Sequence, residues 1–184
     1  MYHQNNNYMK SSLKAILLAF IVALSSCQSN DVVPQEKLEG TWNVQKVETE
    51  SQVQGEQPRK ETETFEGQTA QLTFLANGTF QAQNFLVPLP VDGASENTLT
   101  IEGTYKVEGN VTTLTFREPG ETTNIQLLMT TDIRRNTMTL NMNKDQLFVT
   151  LDAFASADPL IGLVLNLYKT TLLQFNLTYT LSKG

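Results

Sequence analysis

From Leu38 onward the chain is a succession of short segments in which apolar residues fall at every second position, separated by Gly, Asn and Pro. Leu99, Ile101, Gly103, Tyr105 and Val107 form the longest such run. Side chains alternate faces along a strand, so the pattern calls for one buried and one wet face, and the abundant threonines suit the wet one. A first strand is expected over about Thr41 to Val47, followed by an acidic stretch, Glu48 to Gln68, that lacks periodicity and should be a long loop or a frayed strand. Gln71-Leu72-Thr73-Phe74 alternates, and Asn77-Gly78 should close a hairpin into Phe80 to Val87, because both residues tolerate the positive φ of a tight turn. Pro88-Leu89-Pro90 and Asp92-Gly93 mark a loop before the longest run. Beyond it, Glu108-Gly109-Asn110 turns the chain into Thr112 to Phe116, and Pro119-Gly120 leads to Ile125, Leu127 and Met129. Arg134-Arg135-Asn136 then leads to Met138, Leu140 and Met142. Such short connections make sequential strands neighbours in an up-and-down antiparallel meander.

After a further segment, Gln146 to Leu151, Asp158-Pro159 supplies an N-cap residue and a proline at the first helical position. The helix this predicts, near 158–169, has a narrow polar stripe of Asp158, Gly162, Asn166 and Lys169 and should be buried on most sides. A last strand, carrying Phe175, Leu177, Tyr179 and Leu181, follows it. The expected fold is all-β, an antiparallel barrel of about eight to nine strands with one late helix, since closure removes exposed strand edges.

The N-terminus is of another kind. Lys10 and Lys14 flank the start of an apolar run, Ala15 to Leu24, well short of the roughly 20 residues that a spanning helix needs. The run ends in Leu24-Ser25-Ser26-Cys27, which resembles the bacterial lipobox. That resemblance implies a signal peptide over 1–26 and acylation of Cys27 by chains such as palmitate. Several chains, each gaining about 0.8 kcal/mol per buried CH₂, would make the membrane anchor permanent. Met9, directly before Lys10, is the expected start of translation. Residues 27–37, polar and Pro-containing through Gln28 to Gln35, are expected to be a lipidated tether, leaving 38–184 as one domain. Gln28 is not the aspartate that retains lipoproteins at the inner membrane in enteric-type sorting, so the expected location is the bacterial cell envelope, at the outer membrane.

Removing residues 1–26 takes away Lys10 and Lys14, leaving a mature net charge of 11 − 19 = −8. Such a balance argues against nucleic-acid partners and against electrostatic docking on anionic lipid. The one histidine, His3, lies in the signal, and the one cysteine would be consumed by lipid. A mature domain without either residue type has no Ser-His or Cys-His nucleophile pair, no disulfide and almost no zinc chemistry. No enzyme activity, metal or other cofactor is expected.

Leu38-Glu39-Gly40-Thr41-Trp42 resembles the G-x-W opening of the lipocalin superfamily, and more closely the lipocalin-like domains common in lipoproteins of Bacteroidetes-type bacteria. Leu72-Thr73-Phe74 with Asn77-Gly78-Thr79-Phe80, and Gly103-Thr104-Tyr105-Lys106-Val107 with Gly109-Asn110, are similar to later segments of the same family. The resemblance covers about Leu38 to Phe116 and implies that Gly40 turns the chain into the first strand while Trp42 plugs the barrel base. In lipocalins an arginine on a late strand stands over that Trp; here the terminal strand offers Lys183. The family places its helix after the barrel, whereas here a strand follows the helix.

Met129, Met138 and Met142 are expected to point inward, where methionine either fills a core or lines an adaptable pocket. Tyr105 and Tyr179 would add hydroxyls to such a pocket or sit in the core with the hydroxyl at its rim. These five are the candidate ligand-binding residues. The late helix would act as a lid or simply pack on the barrel. Glu61, Glu63 and Glu66 would be a weak calcium or acid–base cluster or a solvated loop, and Arg134-Arg135 a basic turn or an anion contact. The function this supports is binding of a small apolar ligand by a membrane-anchored barrel. The alternative is a solid, non-enzymatic barrel whose acidic loops contact an envelope protein or glycan.

Overall fold

The computed structural model describes residues 33–67, 69–85, 101–117, 124–155 and 159–184. The signal segment, Met9, Cys27, the loop with Pro88 and Asp92, Leu99, Pro119-Gly120 and Asp158 lie outside the described residues. One helical turn, α1 (Gln35–Leu38), leads into β1 (Gly40–Val53), β2 (Arg59–Thr64), β3 (Gln71–Phe74), β4 (Thr79–Gln83), β5 (Ile101–Glu108), β6 (Val111–Phe116), β7 (Ile125–Arg134) and β8 (Thr137–Asn143). Two helices, α2 (Lys144–Ala155) and α3 (Pro159–Thr171), precede β9 (Leu172–Lys183).

All pairings are antiparallel, in the order β2-β1-β3-β4-β5-β6-β7-β8-β9, and β9 returns to pair with β1. Eight strands, β1 and β3 to β9, thus close a barrel, with β2 as an extra strand. The expected meander and closure are both present. Alternation decides which side is inside. Ile125, Leu127, Met129 and Thr131 of β7 are buried, as are Met138, Leu140 and Met142 of β8, and their neighbours in sequence face outward.

Two expectations need correction, and one segment left without an element gains one. The acidic stretch after Val47 is neither loop nor frayed end: β1 continues to Val53, and β2 pairs with it from Lys46↔Thr64 to Ser51↔Arg59. No apolar period marks β2 because all six of its residues are exposed, so burial imposed no pattern there. Lys60 holds Glu50 at 2.6 Å and lies 3.9 Å from Glu48, and Lys46 holds Glu48 at 2.8 Å. The Lys46 hydrogen bond keeps the Glu48 carboxyl below its ordinary range, and the Glu50 bond raises the Lys60 ammonium. That segment, Gln146 to Leu151, is helical, inside α2. Asn143 and Gln146 form a capping box there, Gln146 N donating to Asn143 Oδ1 at 3.0 Å and Asn143 N to Gln146 Oε1 at 2.9 Å. The late helix, against expectation, is not buried on most sides: Leu163 is 72% exposed and Leu167 62%. The described chain also begins inside the expected tether, with Val33 buried and its N–H bonded to Gly109 O at 3.0 Å.

β2 and β3 occupy the same edge of β1 in succession. β3 takes Gly40 to Asn43, β2 takes Lys46 to Ser51, and the change falls at Gln45, where β1 also shifts register against β9. Phe65 N donates to Gln45 O and Val44 N to Ala70 O, so the chain between the two strands leaves the sheet without orphaning the β1 backbone. This bulge lets one long strand serve both ends of the barrel.

Gly103 is a packing requirement. A Cβ there would stand 2.1 Å from Thr115 O and 2.8 Å from Phe80 Cε1, where Phe80 meets Phe116 edge to face at 6.5 Å. Overpacking a core costs about 1–3 kcal/mol, and backbone cannot yield as a side chain can. Gly103→Ala is therefore expected to lower stability by at least about 3 kcal/mol, read as the shift of the urea midpoint. A midpoint within error of the parent would mean that β5 and β6 are not packed this closely.

Candidate functional site

Among the described residues, Trp42 and its surroundings seal one end of the barrel. Gly40, at φ 113, bends the chain from α1 into β1, and Trp42, 0% exposed, donates from Nε1 to Leu38 O at 2.7 Å. Lys183 Nζ stands 5.1 Å from the centre of the Trp42 ring, a cation–π contact. The turns at Gly78, Gly109-Asn110 and Arg135-Asn136 gather at this end, tied by Tyr105 N to Gly78 O, Thr131 N to Asn110 O and Lys183 N to Asn136 O.

The five candidate ligand residues are all buried. Tyr105 lies toward the sealed end, edge-on to Phe74 at 4.9 Å, with its hydroxyl donating to Leu75 O at 3.0 Å. Met129 and Met138 pack in the same interior with Leu140 and Leu181. Met142 and Tyr179 lie further along the barrel, Tyr179 stacked on Phe85 at 4.7 Å. Burial pushes the Tyr179 phenol far above its ordinary value, so it stays neutral. None of the five lines the cavity described next.

That cavity, of about 460 Å³, lies at the opposite end. Past the bulge, Thr49 and Ser51 of β1 pair with Leu177 and Phe175 of β9 and so share their inward face. Thr49 and Ser51 form one wall with Val53, and Thr171 adds a further hydroxyl from the end of α3. Leu147 of α2, Tyr168 of α3, and Leu172 and Phe175 of β9 form the apolar side. Glu56, Gln57 and Arg59, from the β1–β2 turn and the start of β2, complete the lining. Along β9 the next inward residues toward the sealed end are Leu177 and Tyr179, so the Phe85–Tyr179 stack lies below the cavity.

The helices hold their part of the lining through specific contacts. Thr150 Oγ1 donates to Gln126 O at 2.7 Å and Gln146 Nε2 to Thr130 Oγ1 at 3.2 Å, fixing α2 against β7. Lys169 pairs with Asp152 at 2.7 Å across α3 and α2, and Gln54 N donates to Thr171 O at 2.7 Å, joining β1 to α3. The arrangement offers hydroxyls, apolar surface and one charge of each sign at the rim. Among the described residues no group of three or more His, Cys, Asp or Glu is placed to hold a metal. Glu61 and Glu63 lie exposed on β2 and Glu66 follows it, also exposed.

A lipocalin-like domain model matches residues 38–140, more than half of the chain. The chain belongs to the lipocalin-like domain family. Among curated proteins and among solved structures, it has no significant match. The matched span carries β1 to Leu140 of β8 and stops short of the helices and β9. This lipocalin-like domain therefore takes one cavity wall, Thr49 to Arg59, from the family's shared part, and the facing wall, Leu147 to Phe175, from sequence beyond it.

The cavity is not legible in the sequence because neither wall carries a one-sided period: the stretch after Val47 reads as a long loop or a frayed strand, and Gln146 to Leu151 as a segment of no assigned type. One usable signal was present: Asn143 followed three residues later by Gln146. Asn143→Ala, which removes the α2 cap, is expected to cost about 1 kcal/mol and to speed amide exchange in 144–155 more than in β8. Unchanged exchange in α2 would show that the cap does not hold this wall.

Proposed function

We propose that this lipocalin-like domain is a non-enzymatic binding protein that takes a small, mostly apolar ligand into the cavity at the end of the barrel away from Trp42, while an acylated Cys27 anchors it to a bacterial outer membrane. The cavity carries the reading. Its volume, about 460 Å³, lies within the range of about 300–1,000 Å³ typical of ligand pockets, and its lining sets Val53, Leu147, Tyr168, Leu172 and Phe175 against the hydroxyls of Thr49, Ser51 and Thr171, with Glu56, Gln57 and Arg59 beside them. The apolar side would hold the body of the ligand by surface burial, and Thr49, Ser51 and Thr171 would orient a polar group. The anchor is supported by the lipobox-like Leu24-Ser25-Ser26-Cys27 alone.

The fluorescent probe anilinonaphthalene sulfonate, which brightens on apolar surface, tests the binding half. It is expected to bind the parent domain and to bind Ser51→Trp at least about tenfold more weakly, a loss of about 1.4 kcal/mol, at an unchanged unfolding midpoint. Thr171→Trp fills the same space from α3 and repeats the test if the first variant does not fold. Equal affinity in both variants would place the probe elsewhere and remove the support. For the anchor, labelled palmitate is expected to mark the parent protein and not Cys27→Ala, and an unlabelled parent or an equally labelled variant would contradict acylation.

A further inference from the structure

We propose that the cavity takes a cationic amphiphile, an apolar body carrying an organic ammonium group; this rests on the binding role proposed above and names the chemical class of its ligand. Two charged side chains line the cavity, Glu56 of the β1–β2 turn and Arg59 of β2. Arg59 has a partner, its Nε lying 3.8 Å from Glu61 Oε1. Glu56 is in no ion pair among the described residues. The charge left unmatched in the lining is therefore a carboxylate. β2 brings another to the same side. Glu61 pairs with Thr49, Arg59 with Ser51 and Glu63 with Val47. Residues opposite one another on paired strands share a face, so Glu61 and Glu63 stand on the face that Thr49 and Ser51 turn to the cavity. Glu63, like Glu56, is in no ion pair among the described residues.

The elements around the cavity carry the same sign as a whole. Residues 46–67, 144–155 and 159–171 hold five cations and eight carboxylates, a net of 5 − 8 = −3. All five cations are engaged. Glu48 holds Lys46, Glu50 holds Lys60, Glu61 holds Arg59 and Asp152 holds Lys169. Lys144 Nζ donates to the carbonyls of Leu172 and Leu173 at 3.5 and 3.4 Å. An anionic headgroup would have to take a cation from its partner, whereas an ammonium meets carboxylates that have none. The uncharged lining suits the same ligand. Tyr168 and Phe175 supply two half-buried rings, whose faces attract a quaternary ammonium. Val53, Leu147 and Leu172 cover an alkyl chain, and the Thr49, Ser51 and Thr171 oxygens accept hydrogen bonds from a primary ammonium.

Octyltrimethylammonium and octanoate, equal in chain length and opposite in charge, test the preference when titrated separately into Leu- and Val-labelled protein. Methyl signals of Val53, Leu147 and Leu172 report the binding. The ammonium is expected to saturate them at about a tenfold lower concentration than octanoate, since one exposed carboxylate changes the affinity of each headgroup by about threefold in opposite directions. Glu56→Gln should bring the two concentrations within about threefold of each other. Glu36→Gln, an equal change of net charge on α1, should keep the tenfold ratio. Anilinonaphthalene sulfonate, an anion, should bind Glu56→Gln more tightly than the parent. Nuclear Overhauser contacts from the N-methyl protons are expected at the Tyr168 or Phe175 ring. Equal affinities, tighter binding of octanoate, a ratio that Glu56→Gln leaves intact or that Glu36→Gln reduces as much, or N-methyl contacts at Tyr179 instead overturn the cationic class, while the cavity stands as a binding site. No saturable shift with either compound refutes the cavity as the binding site, and the ligand class with it.

Discussion

β1 and β9 pair along almost their whole length, from Trp42↔Lys183 to Val53↔Leu172, and the other features of the domain depend on that contact. It joins the ends of the meander and so removes the edges that an open sheet would expose. At one end it sets Lys183 over Trp42, and at the other it places Ser51 opposite Phe175 on the inward face. Plug and cavity are thus built on the same two strands. The bulge at Gln45 connects them, because it lets β1 exchange β3 for β2 as its neighbour without leaving β9.

The division of labour between the ends follows from which side chains each can bury. Toward the sealed end the inward positions carry Trp42, Phe74, Met138, Leu140 and Leu181, which fill the interior. Past the bulge β1 offers Thr49 and Ser51 instead, too small to meet across the barrel, and space remains. Two helices bring Leu147 and Tyr168 to that space. The family match ends at Leu140, so these helices lie outside the matched span.

What the sequence disclosed follows the same physics. Wherever one face is buried and the other wet, alternation was legible: β3, β5, β6, β7 and β8 were all read from it, and Asn77-Gly78 located its hairpin. Trp42 was assigned to the base from the Gly-x-Trp resemblance, and Lys183 was singled out on the terminal strand. Legibility ended where burial is not one-sided. β2 is exposed throughout and had no period to find. α2 has an apolar run, Leu147-Phe148-Val149, that suits strand and helix alike, and only its capping box separates the two. α3 misled differently, because its apolar residues face both the barrel and the solvent, which its composition cannot distinguish. Nor does inward alternation by itself separate a core position from a pocket position at Met129, Met138 and Tyr179; all three are buried and none lines the cavity.

The proposed binding belongs to the cavity between β1, β9 and the two helices, and not to the apolar surface elsewhere on the molecule. Methyl NMR on Leu- and Val-labelled protein titrated with anilinonaphthalene sulfonate tests it most directly. The expected result is saturable shifts at Val53, Leu147 and Leu172, with Leu38 and Leu72 at the sealed end unmoved. Shifts confined to Leu163, Val164 and Leu167 on the exposed side of α3, or centred on the sealed end, would contradict it.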